Sequence, residues 1–129
     1  MTVSVSAGND KKTPVVLLVE DEFFVRYDIA TCLRDAGYVV VESASGEQAI
    51  ALCRSQTSID MVFTDINLGG AVSGWEVAEC FRSEQPDVPV LYTSGRVVDA
   101  ERCVPGSVFV AKPYQPDDIL NACQRLCSR

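Results

Sequence analysis

From Val15 onward the chain switches repeatedly between two hydrophobic periods. Val15–Val19 is an unbroken apolar run, the pattern of a parallel strand covered on both faces. Phe23–Ala36 changes to helical spacing, with Val25, Ile29, Cys32, Leu33 and Ala36 on one stripe and Gly37 closing it. Tyr38–Glu42 predicts a second strand. Ser45 then caps a helix to about Arg54, with Ala49, Ile50 and Cys53 on its inward side. Met61–Thr64 is the third short strand. Ser73 is placed to cap a helix carrying Val77, Ala78 and Phe81. That helix ends near Gln85-Pro86, because the residue before a proline is pushed out of the helical region. Val88–Tyr92 and Val108–Val110 predict strands four and five, and Pro116 opens a last helix with Ile119, Leu120, Cys123 and Leu126 as its apolar side. Five β-then-α units in a row specify an α/β fold with a doubly wound parallel sheet. Residues 1–13 are polar and read as a flexible leader ahead of a domain over 14–129.

Composition narrows the function classes. A chain of 129 residues favours one domain with one sizeable core. The net charge of −7 argues against nucleic acid as a direct partner, because phosphate backbones reward clustered Lys and Arg. No apolar run approaches a membrane span, and Met1–Pro14 lacks the apolar centre of a signal peptide. A cytoplasmic protein without membrane insertion is therefore expected. Cys32, Cys53, Cys80, Cys103, Cys123 and Cys127 are scattered, with no CxxC pair. Four of them fall in helical patterns where a small apolar thiol packs well, so inert thiols are expected over a disulfide framework. Histidine is absent, which removes Ser-His and Cys-His nucleophile pairs and most zinc sites.

In a doubly wound sheet, ligands bind beyond the carboxyl ends of the strands, at the switch point in strand order. The residues there are Glu20-Asp21-Glu22, Asp65, Ser94 and Lys112. Carboxylates gathered in one crevice repel each other unless a cation joins them, and magnesium takes hard oxygen ligands of this kind. Acidic residues after a strand also serve as plain helix caps, and Glu20-Asp21 alone fit either role. Ser94 fits a contact to an oxyanion or an ordinary turn. Lys112 fits a partner for carboxylate or phosphate, or a solvated surface lysine. The specific signal is all of these together, at the ends of strands one, three, four and five.

The strings VVLLVEDE, VFTDINL, PVLYTSG and FVAKPY resemble the signature stretches of response-regulator receiver domains of two-component signalling, from Pro14 to about Arg125. The resemblance implies a flavodoxin-like, five-stranded sheet of order 2-1-3-4-5. It implies that Asp65 is the phosphoacceptor and that Mg2+ is held by Asp21, Asp65 and the main-chain carbonyl of Asn67, with Glu20 acting directly or through water. Ser94 takes the place of the hydroxyl that contacts the phosphoryl group. It is chosen over Thr93 because it lies five residues after Pro89 and directly before Gly95. Lys112 takes the place of the family's lysine. Phe109, three residues before it, matches an aromatic switch that swings inward in a two-state equilibrium, and fits a plain core position equally.

The implied phosphodonor is a sensor histidine kinase or a histidine phosphotransfer protein. Output goes to an unidentified downstream protein, because these residues carry no DNA-binding or effector module. A homodimer is among the assemblies the resemblance allows. Catalysis is expected only of the protein's own phosphorylation and autodephosphorylation.

The chain departs from the family in two places. Gly69-Gly70 loosens a loop that usually contains proline. Only fourteen residues separate Ser94 from Phe109, with Pro105 and Gly106 among them. Arg96–Cys103 has room for two helical turns at most, so the usual fourth helix is expected to be shortened, irregular or missing. A receiver subfamily with a mobile loop there is similar, and would place Asp99 and Glu101 on that loop. Arg96 and Asn67 match positions that border the path of attacking water.

Rival readings are a phosphorylation-independent receiver-like module, a fragment of a hybrid kinase, and a phosphohydrolase with an Asp nucleophile. The last wants a second acid where Asn67 stands. A flavin carrier of the same fold needs hydroxyls and glycines where Glu20-Asp21-Glu22 stand.

Overall fold

The computed structural model describes residues 13–96 and 99–127. The polar leader lies, apart from Thr13, outside the described residues.

Each apolar run becomes a strand and each helical stripe a crossover. The strands are β1 (Val15–Val19), β2 (Val39–Ser43), β3 (Met61–Asp65), β4 (Val90–Ser94) and β5 (Val108–Ala111). All neighbouring pairs are parallel, and the order is β2-β1-β3-β4-β5, as expected. The α-helices are α1 (Phe23–Asp35), α2 (Gly46–Arg54), α3 (Gly74–Glu84) and α4 (Pro116–Cys127). Alternate strand residues feed two cores. Leu17, Val19, Val62 and Tyr92 pack with α2 and α3, while Val16, Leu18, Phe63 and Leu91 pack with α1 and α4. The strand order reverses between β1 and β3, which opens a crevice at their carboxyl ends.

Both predicted caps form. Ser45 Oγ accepts from the Gln48 N–H, and Ser73 with Glu76 makes a reciprocal capping box that fixes the start of α3. Several boundaries move. Helix α1 stops at Asp35; Ala36 is its C-cap and is exposed rather than part of the inward stripe, because Gly37 at φ +100° turns the chain away. Strand β4 runs two residues later than predicted. The Val88 N–H is spent on a turn to the Gln85 carbonyl and Pro89 has no N–H, so pairing in β4 starts at Val90. As a result Asp65 and Ser94 are the last residues of their strands rather than the first of the loops.

Between β4 and β5 the described residues contain one 3-10 turn, Ala100–Arg102, and no α-helix; Val97 and Val98 lie outside them. The expectation of a reduced fourth helix is met. Arg102 holds this turn to α3 through Glu79 (3.2 Å) and by stacking over Trp75, 5.3 Å from its ring centre. The Val104 N–H donates to the buried Tyr92 hydroxyl at 3.1 Å. With no helix over that part of the sheet among the described residues, β5 has one exposed face: Phe109 and Ala111 are exposed while Val108 and Val110 are half-buried. Phe109 is thus not a core residue in this state. Among the described residues no helix is long and apolar enough to cross a membrane.

Candidate functional site

The three acids after β1 divide their labour. Glu22 is the cap of α1, accepting from the Phe24 and Val25 N–H groups at 3.4 and 3.1 Å. Glu20 turns inward, 2% exposed, and its Oε2 accepts from the Glu22 N–H at 3.0 Å. Arg26, one turn into α1, donates to the Glu20 carbonyl at 2.7 Å and so braces the bend. Asp21 stays exposed, and its Oδ2 accepts from the Gly69 N–H at 3.0 Å, which draws the double-glycine loop to the mouth of the crevice.

Asp65 lies at the end of β3 with 5% exposure. Its Oδ1 accepts from the Asn67 N–H at 3.0 Å and its Oδ2 from Lys112 Nζ at 2.6 Å. The same ammonium reaches Glu20 Oε1 at 3.2 Å. The Lys112 N–H donates to the Ser94 carbonyl, so the ends of β4 and β5 are tied together behind the site. Ser94 Oγ donates to Asn67 Oδ1 at 2.7 Å and accepts from the Arg96 N–H at 3.1 Å. The Thr93 hydroxyl is buried and has no hydrogen-bond partner among the described residues.

The structure therefore brings together Glu20, Asp21, Asp65 and Lys112, with Asn67 and Ser94 joined at their edge. Phe109 stands apart, exposed on the open face of β5. Sequence reasoning missed Arg26, whose helical spacing from Glu22 is its one signal. It also missed Gly74, next to the cap Ser73. A Cβ on Gly74 would overlap the Asp65 carbonyl oxygen and crowd Ile66 Cα, so only glycine lets α3 start this close to the acidic end of β3.

Charge is concentrated here. Burial raises the Glu20 carboxyl above its usual range; the Asp65 charge adds, while the Glu22 N–H bond and Lys112 oppose. Burial works against the Lys112 ammonium, yet its bonds and attraction to Asp65 and Glu20 win and hold its pKa above the ordinary lysine value. Burial pushes the Tyr114 phenol up to about 12, so it stays neutral.

Carboxylate oxygens of Glu20, Asp21 and Asp65 all lie within 4.8 Å of one another. Three carboxylates against the one ammonium of Lys112 leave two negative charges, and the donors are hard oxygens. A divalent hard cation such as magnesium fits that set.

The sequence matches the response regulator receiver domain family over residues 16–124. It is 31% identical over 122 residues to the two-component response regulator ORR5 of Oryza sativa subsp. japonica, covering 90% of this chain and 87% of that protein. It is 29% identical over 122 residues to the aerobic respiration control protein ArcA of Escherichia coli K12, covering 92% of this chain and 50% of that protein. The chain thus spans about half the length of that curated relative. A solved response regulator receiver protein from Sinorhizobium medicae WSM419 matches with a TM-score of 0.87 and 33% identity, over 91% of this chain and 96% of that one.

Proposed function

Because this chain belongs to the response regulator receiver domain family of two-component systems, we propose that Asp65 is its phosphoacceptor, taking a phosphoryl group from a phosphohistidine of a partner protein. The observation that carries this reading is the setting of the Asp65 carboxylate. It is buried at the end of β3, held by the Asn67 N–H and the Lys112 ammonium, and flanked by Glu20 and Asp21.

An Asp65 oxygen attacks the phosphorus in line, and the bond from phosphorus to the donor nitrogen breaks. The Lys112 ammonium, already on Asp65, balances charge on the transferred group. The Asn67 N–H fixes the carboxylate so that one oxygen keeps its bearing as the other reacts. Ser94 is poised to exchange its bond to Asn67 for one to a phosphoryl oxygen. Asp21, Asp65 and the Asn67 carbonyl, with Glu20 directly or through water, would hold a magnesium ion, which would supply neutralisation of the acidic pocket and of the transferred oxygens. Phosphorylation adds about −1.5 to −2 charges, and with one 3-10 turn and no α-helix among the described residues between β4 and β5, Phe109 is free to change its packing in response.

The donor is a sensor histidine kinase or histidine phosphotransfer protein, the output a protein contact, and the setting the cytoplasm. The only catalysis proposed is of the protein's own phosphorylation and dephosphorylation.

Trp75, the single tryptophan, lines a cleft of about 320 Å³ with Asp21, Asn67, Ser73 and Arg96, so it reports on the site. Its emission should change saturably when beryllium fluoride, a phosphoryl mimic, is added with magnesium. Neither addition alone should reproduce that change, and Asp65→Asn should abolish it. An identical response in Asp65→Asn would contradict the assignment.

A further inference from the structure

We propose that Cys53 and Cys80 form a redox pair that hydroperoxides oxidise to an intramolecular disulfide, tying α2 to α3. The two residues lie 27 positions apart in sequence, yet the Cys80 thiol donates to the Cys53 sulfur with the sulfurs 3.1 Å apart. Among the described residues this is the one sulfur–sulfur hydrogen bond. Cys53 is buried on α2, and Cys80 is half-buried on α3 against the same core. A disulfide needs sulfurs at about 2.05 Å, so the pair must close by roughly 1 Å, a small adjustment for two side chains already in contact. A recess of about 290 Å³, lined by Cys53, Thr57, Phe81 and Glu84, reaches Cys53 and gives its side chain room to move.

The two thiols are not equivalent. Cys80 is the better exposed and meets the oxidant first. Burial, followed by the contact with Cys80, pushes the Cys53 thiol up to about 12, so Cys53 is not the thiol that reacts first with peroxide. The Cys80 thiol gives up its proton, its sulfur attacks a peroxide oxygen and the O–O bond breaks, leaving a sulfenic acid on Cys80 while the departing oxygen takes that proton and leaves as water or an alcohol. The Cys53 sulfur then attacks the Cys80 sulfur, the S–O bond breaks, and the hydroxide leaves as water with the Cys53 proton. Two thiols lose two electrons, one peroxide gains them, and one disulfide forms. A dithiol reductant reverses it by exchange. The closed loop contains β3 with Asp65 and the glycine-rich segment after it, so the cross-link restrains that whole segment between α2 and α3. The inference stands on the sulfur contact and does not depend on the phosphoacceptor reading.

The test treats the fully reduced, intact chain with hydrogen peroxide, blocks residual thiols, and maps peptides by mass spectrometry without reduction. The expected product has lost two hydrogens and yields a linked peptide pair containing Cys53 and Cys80. Its apparent Tm rises by about 5 °C or more, and dithiothreitol reverses both changes. In Cys53→Ser, Cys80 should be trapped as a sulfenic acid by a carbon nucleophile. Oxidation that links other cysteines while leaving Cys53 and Cys80 free would overturn the proposal. So would the same linkage forming equally well in strong denaturant. Mapping on the unaltered chain decides the matter even where a variant fails to fold.

Discussion

Removing the Lys112 ammonium would leave the buried carboxylates of Glu20 and Asp65 facing each other with their counter-charge gone. Lys112→Ala is therefore expected to lower folding stability by about 1–3 kcal/mol, the penalty for a buried polar group that loses its partner. Asp65→Asn removes a like charge instead, and should leave Tm unchanged or raised in magnesium-free buffer. Denaturant unfolding of both variants checks the pair of signs, and a less stable Asp65→Asn beside a neutral Lys112→Ala would refute this balance of charges. Gly74 is the second sensitive position. Adding a methyl there forces the start of α3 off the end of β3, so Gly74→Ala should cost about 1–3 kcal/mol. It should also slow phosphorylation of Asp65 where a surface glycine change would not. At this scale the residues that gather at the strand ends were legible in sequence, because Glu20, Asp21, Asp65, Ser94 and Lys112 each follow an apolar run. The contacts among them were not: Lys112 meets Asp65 across 47 positions, and nothing in either residue's neighbours announces it.

Helix α3 begins with a capping box that doubles as a pH-dependent element. The bond from the Ser73 N–H, with the Ser73 side chain adding, holds the Glu76 carboxyl below its ordinary 4.5. A depressed carboxylate pKa contributes stability that is present above the ordinary value and is lost as pH falls through the lower, folded value. Wild type should thus exceed Glu76→Gln in stability at neutral pH, with the gap closing on acidification below 4.5. Thermal melts across that range measure it, and a gap that widens in acid would reverse the sign. The connection before β5 makes a separate claim. Arg102 joins its 3-10 turn to Glu79 and Trp75, so Arg102→Ala should raise amide exchange over 99–104 and leave that of α3 unchanged. Ser45 and Ser73 were legible as caps because their side-chain chemistry is local. The late start of β4 was not, since it depends on the turn that consumes the Val88 N–H as well as on Pro89.

Across the whole molecule, the alternation of apolar runs and helical stripes was enough to give a doubly wound parallel sheet, because parallel strands need crossovers, while the order β2-β1-β3-β4-β5 was legible only through the family resemblance of the signature stretches. The exposure of Phe109 was not legible: its place in an apolar strand fits a core position as well as a switch, and the absence of an α-helix among the described residues after β4 leaves that face open. The same topology brings loops from β1, β3, β4 and β5 to one edge, where three carboxylates and an ammonium gather, the setting on which the proposed phosphoacceptor role rests. The most direct test of that account is intact mass after incubation with acetyl phosphate, with and without magnesium, beside Asp65→Asn. The account predicts a single phosphoryl adduct that requires both magnesium and Asp65. An adduct that persists in Asp65→Asn, or that forms equally without magnesium, would contradict it.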